Sequence, residues 1–417
     1  MKNCFYPANI LLPDFKKING EKWATIACDQ FTSEPEYWEA ADSFVSDEPS
    51  ALRLILPEVY LSESEERVPT INRTMEEYLK NVLKEHKDTM IYVERTQPSG
   101  GVRRGIVGAV DLECYDYKKG SDSLIRATEG TVLERIPPRV AVRRNAKIEL
   151  PHVMLLIDDP DKTVIEPISS AVNEKAYDFD LMLGGGHIKG YFVKKEEIDR
   201  ISEALTALCD VKRTEERYKK GLAPLLFAVG DGNHSLASAK ASYEEIKAEI
   251  GAEAAKDHPA RYALCEVVNL HDSALDFEPI YRVMFGVDPI DVVNSLAEYA
   301  ESVCGTAEPQ NIKYIYGENT GNITVKKPSQ QLTVGTLQSF IDEYISAHEG
   351  ATVDYIHDEE SARRLAAKEN AVGFLFDGMT KDSLFLTVML DGALPRKTFS
   401  MGHARDKRYY LEARVIK

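Results

Sequence analysis

Apolar and polar positions alternate along the chain in patterns that predict helices interleaved with strands. Met75, Tyr78, Leu79 and Val82 fall on one helical face, so their spacing predicts a helix over residues 75–85. Ser33 before Glu34 and Pro35 is typical of a helix start, because proline is tolerated in a first turn. Further helices are expected at residues 195–209, 235–250, 289–303, 335–348 and 359–368.

Short apolar runs bounded by Gly, Pro and Asp predict the strands. Residues 90–94 and 105–112 flank a segment that contains Gly100 and Gly101, which favours an antiparallel hairpin. Further strands are expected at residues 153–157, 225–229, 263–268, 371–376 and 384–390. The pattern changes near residue 286, so we expect two domains, 1–285 and 286–417.

Composition indicates an ordinary globular protein. Hydrophobic residues make up 43% of the 417 residues and charged residues 29%. No apolar run approaches the roughly 18 residues that a membrane helix needs, and the first residues lack a signal-peptide hydrophobic region. We therefore expect a soluble, cytoplasmic protein.

Charge and cysteine usage narrow the expected partners. The 51 Lys and Arg against 68 Asp and Glu give a net charge of −17, which opposes binding to nucleic acids and to anionic membranes. The six cysteines form no Cys-x-x-Cys pair, so we expect reduced thiols and no zinc site. A small-molecule substrate is the expected partner, and the sequence leaves the oligomeric state open.

The segment over residues 227–240 carries the most chemistry. An apolar strand leads into a turn with Asp231, Gly232, Asn233, His234 and Ser235, and this turn opens a helix. Unpaired N–H groups at a helix N-terminus favour an anion. An Asp can act as a base or hold a metal ion, and a His can move a proton or bind phosphate. The alternative is that Asp231 or Asn233 only caps the helix.

Three other segments combine charge with loop character. A glycine-rich run, residues 183–190, brings the donors of His187 and Lys189, but it is not a Walker A loop. Arg126 and Glu129 offer an anion clamp and a base, and Arg396 and Lys397 lie together beside hydroxyl residues. A flexible loop or a solvated charged surface explains each of these equally well.

Asp29 is expected at the end of a short strand. Cys28 has no neighbouring base and is not proposed as a nucleophile.

Taken in order, these segments resemble a known family. The segments are the Asp29 region and residues 108–117, 126–129, 231–234, 277–283 and 394–399. Together they resemble the bacterial and archaeal domain-of-unknown-function family 1015 over nearly the whole chain. Through an Asp-Gly-His-His-Arg turn, that family is similar to the ParB/sulfiredoxin superfamily, whose members bind nucleoside triphosphates at this turn and include kinases of free serine. Asp231, Gly232 and His234 match the turn, whereas Asn233 replaces the first His and Ser235 replaces the Arg.

The resemblance implies an α+β fold with a ParB/sulfiredoxin-like mixed-sheet core, an N-terminal elaboration and an added C-terminal α/β region that contributes to the functional site. It implies a nucleotide-dependent phosphotransferase that acts on a small hydroxylated metabolite and uses Mg²⁺ with ATP or ADP. Asp231, His234 and Asp29 would be catalytic, and Asp231 or Asp29 would accept the hydroxyl proton or hold the metal. The nucleotide or its phosphates would be bound by Gly232, Asn233, Ser235, Arg126, Glu129, His187, Lys189, Arg396 and Lys397.

The missing arginine leaves alternatives open. Either another cation, such as Lys189, Arg126 or Lys397, takes its place, or phosphate binding is lost. A non-catalytic nucleotide- or metabolite-binding protein, which binds its ligand in the same pocket without turnover, is one alternative to the phosphotransferase. A phosphohydrolase, in which Asp231 and His234 activate a water, is the other alternative.

Overall fold

The chain divides into two units. The structure, a computed structural model, describes residues 3–130, 136–168, 174–395 and 397–417. The first unit comprises Met1–Leu275 together with Gly402–Lys417, and the second comprises Asp276–Met401. The boundary therefore lies before residue 286, and the last segment of the chain belongs to the first unit.

The first unit contains eight helices and most of the strands among the described residues. The helices are α1 (Gly20–Trp23), α2 (Pro35–Val45), α3 (Ser64–Asn81), α4 (Ile136–Arg144), α5 (Lys195–Leu208), α6 (Val211–Arg217), α7 (Asn233–Ile250) and α8 (Ala252–Ala255). The strands before the second unit are β1 (Phe5–Tyr6), β2 (Ala8–Pro13), β3 (Thr25–Ile26), β4 (Leu83–Thr89), β5 (Ile91–Thr96), β6 (Val102–Asp111), β7 (Tyr115–Asp116), β8 (Ile125–Ala127), β9 (Ile148–Glu149), β10 (Met154–Ile157), β11 (Glu174–Asp180), β12 (His187–Phe192), β13 (Phe227–Asp231) and β14 (Tyr262–Asn269).

A mixed sheet organises this unit. Ten of the described strands form it, in the order β11-β12-β5-β6-β14-β10-β13-β8-β7, with β1 paired to β6. The β10–β14, β8–β13 and β7–β8 pairs are parallel, and β5–β6 is the predicted antiparallel hairpin. Helices and a large mixed sheet confirm the α+β class expected for this part of the chain.

The sheet is buried on both faces. Val107 and Ala109 of β6 pack in a cluster with Trp23, whereas the alternate residues Ile106 and Val110 pack in a second cluster with Phe227. Successive side chains of a strand point to opposite faces, so two clusters are expected when both faces are covered. This explains why β6 is continuously buried from Gly105 to Asp111 and carries only apolar residues and glycine between Gly105 and Val110.

The second unit is a smaller α/β structure. Its strands are β15 (Phe277–Pro279), β16 (Tyr281–Phe285), β17 (Gln310–Tyr316), β18 (Asn319–Val325), β19 (Thr352–Ile356), β20 (Ala371–Leu375) and β21 (Phe399–Met401). Its helices are α9 (Pro289–Ser302), α10 (Thr333–Ala347), α11 (Glu359–Ala366) and α12 (Lys381–Asp391). Five strands form one sheet in the order β18-β17-β20-β16-β19, and β15 pairs with β21.

Two element predictions were wrong in type or extent. Residues 384–390, expected as a strand, lie in α12, where Leu384, Phe385 and Val388 are buried and Gly392 ends the helix at φ 78°. An apolar run this short does not distinguish a buried strand from a buried helix. The helix expected over residues 75–85 is α3, but it ends at Asn81 because the following residues pair with β2 as strand β4.

The last segment of the chain returns to the first unit as two short strands. Strand β22 (Tyr409–Tyr410) pairs with β3, and β23 (Arg414–Val415) pairs with β9. Residues 405–410 therefore lie beside the segment that follows β3. Among the helices described, none has the length and apolar character needed to cross a membrane.

Candidate functional site

A tight turn joins β13 to α7. Gly232 occupies the left-handed region at φ 80°, where residues with a Cβ are strained. A Cβ at this position would lie 3.0 Å from the Cα of Val153 and 3.4 Å from Cδ2 of His152. Both backbone conformation and close packing therefore require the glycine.

Helix α7 begins directly after the turn, with Gly232 as its N-cap residue. Among the described residues, no side chain caps this helix, and its first intrahelical bond runs from the Leu236 N–H to the Gly232 carbonyl. Asp231 Oδ1 accepts from the adjacent Gly232 N–H at 2.9 Å, so this carboxylate is not a helix cap. The first-turn amides and the helix dipole favour negative charge here.

Asn233 braces the turn from inside. Its buried side chain accepts from the Thr128 N–H at 3.2 Å and donates to the Val229 carbonyl at 3.4 Å. The Thr128 hydroxyl donates to the same carbonyl at 2.6 Å. The Asn233 side chain therefore positions the turn, and its expected contact with phosphate stays a prediction.

A buried histidine lies against the turn. His152 is 6% exposed, and its Nε2 lies 3.1 Å from Ser235 Oγ. Its Nδ1 lies 2.6 Å from the hydroxyl of Tyr410. Ser235 thus contacts a titratable side chain that sequence reasoning did not identify.

Asp29 joins the same group. Its Oδ2 lies 3.7 Å from His152 Nε2, and its Oδ1 accepts from the Gln30 amide at 3.1 Å. Burial opposes ionisation of Asp29, but the neighbouring imidazole, the Gln30 hydrogen bond and the Lys407 ammonium together hold the pKa of this carboxyl below its ordinary value. Asp29 is therefore an ionised carboxylate, and 30% of its side chain is exposed.

Cys28 lies in this network without being a nucleophile. The Tyr410 hydroxyl donates to Cys28 Sγ at 3.0 Å. Burial and the charge of Asp29 raise the pKa of the thiol to about 12. A thiol with so high a pKa is protonated at neutral pH.

The returning C-terminal segment supplies positive charge at the turn. Lys407 Nζ lies 3.2 Å from Asp231 Oδ2. Arg405 is exposed, and its Nη1 would lie 3.5 Å from a Cβ at Gly184 in the glycine-rich loop. Residues 405–410 thus contact both glycine-bearing segments that the sequence singled out.

Arg126 is occupied by the backbone. Its buried guanidinium donates to the carbonyl oxygens of Ser123, Ala223 and Pro224 at 2.8–3.1 Å. The side chain therefore braces the loop before β13. Glu129 is half-buried and lies two residues beyond the end of β8. It follows Thr128, whose hydrogen bonds to Asn233 and Val229 hold the turn.

His187 and Lys189 lie on β12, which four strands separate from β13 in the sheet order. Both ring nitrogens of His187 contact carboxylates, Asp180 at 2.6 Å and Asp178 at 2.7 Å. A Cβ at Gly185 would collide with the Tyr409 hydroxyl, so this glycine serves packing.

The remaining predicted residues fall in different places. His234 is a half-buried residue of the first turn of α7. Lys397 is exposed in the second unit, where its carbonyl accepts from Arg282 at 3.0 Å. Arg396 lies outside the described residues. The structure thus brings Asp29, Asp231 and Ser235 together through His152 and Lys407.

The sequence contained only weak signals for His152 and Lys407, the two site residues that were not predicted. Arg405, Lys407 and Arg408 cluster before two tyrosines in an acidic protein, and His152 follows a proline at the start of a buried strand. Neither pattern reveals its partner, because the contacts cross distant parts of the chain.

Comparisons with known proteins give a family and remote structural likenesses. A family model described as "Protein of unknown function (DUF1015)" matches residues 12–366. No curated protein matches the chain.

The similar solved structures include a free serine kinase mutant in complex with AMP, at 12% identity and a TM-score of 0.37, covering 73% of this chain and 90% of that one. A conserved hypothetical protein from Pyrococcus furiosus has the same identity and coverage at a TM-score of 0.32. SbnI from Staphylococcus aureus is 10% identical, at a TM-score of 0.34, and covers 73% of this chain and 85% of that one. Free serine kinase is one of the relatives named by the sequence resemblance, although TM-scores this low do not establish a shared active site.

Proposed function

Because the chain belongs to the family of proteins of unknown function DUF1015, its activity has to be inferred from its own side chains, and we propose that the first unit is a nucleotide-dependent phosphotransferase. It transfers the terminal phosphoryl group of a nucleotide to the hydroxyl of a small metabolite. The observation that carries this proposal is the open N-terminus of α7 with Lys407 and Asp231 beside it.

The turn and the C-terminal segment bind the phosphates. Backbone N–H groups of the first turn of α7 donate to the phosphates, and His234 and Ser235 add side-chain donors from the same turn. Lys407, with Arg405 nearby in sequence, supplies the positive charge that the resemblance expected from an arginine in the turn. Phosphoryl transfer depends mainly on such positioning and charge neutralisation.

Asp231 fits a magnesium ion that accompanies the nucleotide. Mg²⁺ keeps several waters and binds one or two carboxylates together with substrate phosphates. The Asp231 carboxylate is about one-fifth exposed, and its two oxygens contact the Gly232 N–H and the Lys407 ammonium. An oxygen ligand for the ion would become available when Lys407 moves to the phosphates. When bound, the ion neutralises charge on the phosphates.

Asp29 acts as the general base. The acceptor oxygen bonds to the terminal phosphorus as the bond between that phosphorus and the bridging oxygen breaks. ADP leaves from ATP, and the hydroxyl proton passes to Asp29. The low pKa of Asp29 keeps it ionised at neutral pH, and His152 positions it through the contact at 3.7 Å.

An assay of product formation tests this proposal. The full chain is incubated with Mg²⁺ and ATP and with pools of hydroxylated metabolites, and products are followed by phosphorus NMR. We expect a phosphate ester with the wild type and its loss in Asp231→Asn and His234→Ala, while Asp47→Asn at an exposed site retains activity.

The other outcomes identify the alternatives. Free phosphate without an ester indicates a phosphohydrolase. Nucleotide binding without turnover of any acceptor indicates a non-catalytic binding protein. Turnover that is unchanged in both Asp231→Asn and His234→Ala contradicts the assignment of the site.

A further inference from the structure

A cavity of about 180 Å³ lies in the first unit beside the turn. Its lining includes Cys28, His152, Ser235 and Tyr410, which also form the network around Asp29. The cavity therefore borders Ser235, which we assign to phosphate binding, and side chains that surround Asp29.

Most of the cavity wall is apolar. The lining comes from the loop before α3, from α3 itself, from α4 and the strand β9 that follows it, and from α7. The apolar lining residues are Leu54, Ile55, Leu56, Leu61, Met75, Val142, Ala146, Ile148, Leu150, Pro151, Val153, Leu236, Ala239, Ala263 and Leu264. Such a surface favours an apolar ligand, because it gives few hydrogen bonds to water or to polar groups.

The charged side chains in the wall pair with each other. Arg139 forms an ion pair with Glu58, and Arg143 forms one with Glu149. Glu149 also accepts from Arg414 at 3.0 Å. These partners engage the charges of the wall, so a charged ligand would have to compete with the existing ion pairs.

Polar groups border the cavity at His152 and Ser235. A serine hydroxyl has one donor and two acceptor positions. In either tautomer of His152, the contact at 3.1 Å uses one of these positions on Ser235. Ser235 therefore retains hydrogen-bonding capacity for a hydroxyl placed at this end of the cavity.

We propose that this cavity binds the acceptor, and that the acceptor is a small uncharged alcohol with an apolar body. Its body fills the apolar part of the cavity, and its hydroxyl lies at Ser235 and His152. An apolar cavity of about 150 Å³ holds benzene, so this one is large enough for a single ring or a branched chain of similar volume. The role as acceptor rests on the proposed phosphotransferase function, whereas the binding of an apolar alcohol does not.

Binding of benzyl alcohol to the full-length protein tests the inference. Affinities are measured by ligand-observed NMR for benzyl alcohol and for L-serine, a hydroxyl compound that carries charges. The variant Ala239→Leu fills the cavity from α7, and Ala248→Leu makes the same change at an exposed position of that helix. We expect the wild type to bind benzyl alcohol better than L-serine. Ala239→Leu should weaken benzyl alcohol binding at least tenfold, and Ala248→Leu should leave it within twofold.

A second variant covers the case in which Ala239→Leu does not fold. Met75→Ala enlarges the cavity, so it should shift the preference from benzyl alcohol toward 2-phenylethanol. Failure of the wild type to bind benzyl alcohol overturns the inference, as does binding that neither variant changes. Nucleotide-induced stabilisation is measured on the same samples. If no nucleotide stabilises the protein while benzyl alcohol binds, the phosphotransferase proposal fails. The inference that the cavity binds an apolar alcohol is then still supported.

Discussion

The ammonium of Lys407 lies 3.2 Å from Asp231 Oδ2. This ion pair joins the C-terminal segment to the turn between β13 and α7. Both side chains are about one-fifth exposed, and ion pairs that remain partly solvated stabilise a fold by only about 0–1 kcal/mol. Breaking this ion pair therefore costs little free energy, so Lys407 can move from the Asp231 carboxylate to a bound phosphate.

Replacing Lys407 by methionine should separate binding from stability. We expect Lys407→Met to weaken nucleotide binding at least tenfold, because a cation beside the phosphates is lost. The free energy of unfolding should change by less than about 1 kcal/mol. Titration calorimetry and urea unfolding measure the two effects.

Lys247→Met provides a matched control for that experiment. Lys247 lies on α7 and forms a partly exposed ion pair with Glu113, in which the two side chains are 28% and 34% exposed. The variant Lys247→Met should leave nucleotide affinity unchanged within twofold. An equal loss of affinity in both variants would show that net charge, not the position of Lys407, determines binding.

Asp29→Asn should abolish turnover and spare nucleotide binding. The amide cannot accept the hydroxyl proton, so we expect turnover to fall by about 10²-fold or more, with nucleotide affinity within threefold. Asp47→Asn at an exposed position should behave as the wild type.

The pH dependence of turnover follows from the same carboxylate. The folded pKa of Asp29 lies below its ordinary value, which is about 3.9 in an unfolded chain. Ionised Asp29 therefore stabilises the fold above the unfolded pKa, and this contribution is lost as the pH falls through the folded pKa. We expect Asp29 to cause no loss of turnover between pH 8 and pH 5. A carbon-13 NMR titration of the Asp29 carboxyl with a midpoint near neutral pH would contradict its low pKa.

Two glycine substitutions distinguish backbone strain from packing at the turn. Gly221 and Gly232 both have positive φ, 86° and 80°, so alanine at either should cost about 1–2 kcal/mol in strain. A Cβ at Gly232 would also lie 3.0 Å from Val153, whereas no heavy atom of the described residues lies within 4 Å of one at Gly221. Urea unfolding should show a larger loss of unfolding free energy for Gly232→Ala than for Gly221→Ala. Equal losses would mean that Val153 moves away from the added Cβ at no cost.

Arg126→Met should affect stability and leave nucleotide affinity unchanged. The guanidinium is buried and donates to three backbone carbonyls, so its loss should cost about 2–4 kcal/mol. Nucleotide affinity should stay within twofold. Arg144→Met, at an exposed ion pair, should cost less than about 1 kcal/mol. A tenfold loss of nucleotide affinity in Arg126→Met would restore the phosphate-binding role expected from the sequence.

Local pattern determined what the sequence could predict. The spacing of apolar residues predicted β10, β14, α5 and α7 with small errors at their ends, because these elements bury a regular face. The turn at Asp231 was identifiable because glycine and polar residues follow an apolar strand in the sequence itself. The run at residues 384–390 was misassigned because its length fits either a buried strand or a buried helix.

The partners of the turn were not predictable from local pattern. His152 reaches the turn because it precedes β10, which pairs with β13. Tyr410 and Lys407 come from the C-terminal segment, which the pairing of β22 with β3 holds in place. Arg126 was expected at the phosphates because its charge is visible in the sequence, while the carbonyls that occupy it are not. Long-range contacts of this kind depend on sheet order, which a single sequence does not reveal.

The most direct test of the nucleotide site is the melting temperature of the full chain with ATP, ADP or GTP, each with Mg²⁺ at millimolar concentration. A nucleotide at about 100 times its dissociation constant should stabilise the fold by about 2.7 kcal/mol and raise the melting temperature. We expect such a rise in the wild type and its loss in His234→Ala. No rise with any of the three nucleotides, or an equal rise in the variant, would contradict nucleotide binding at the turn.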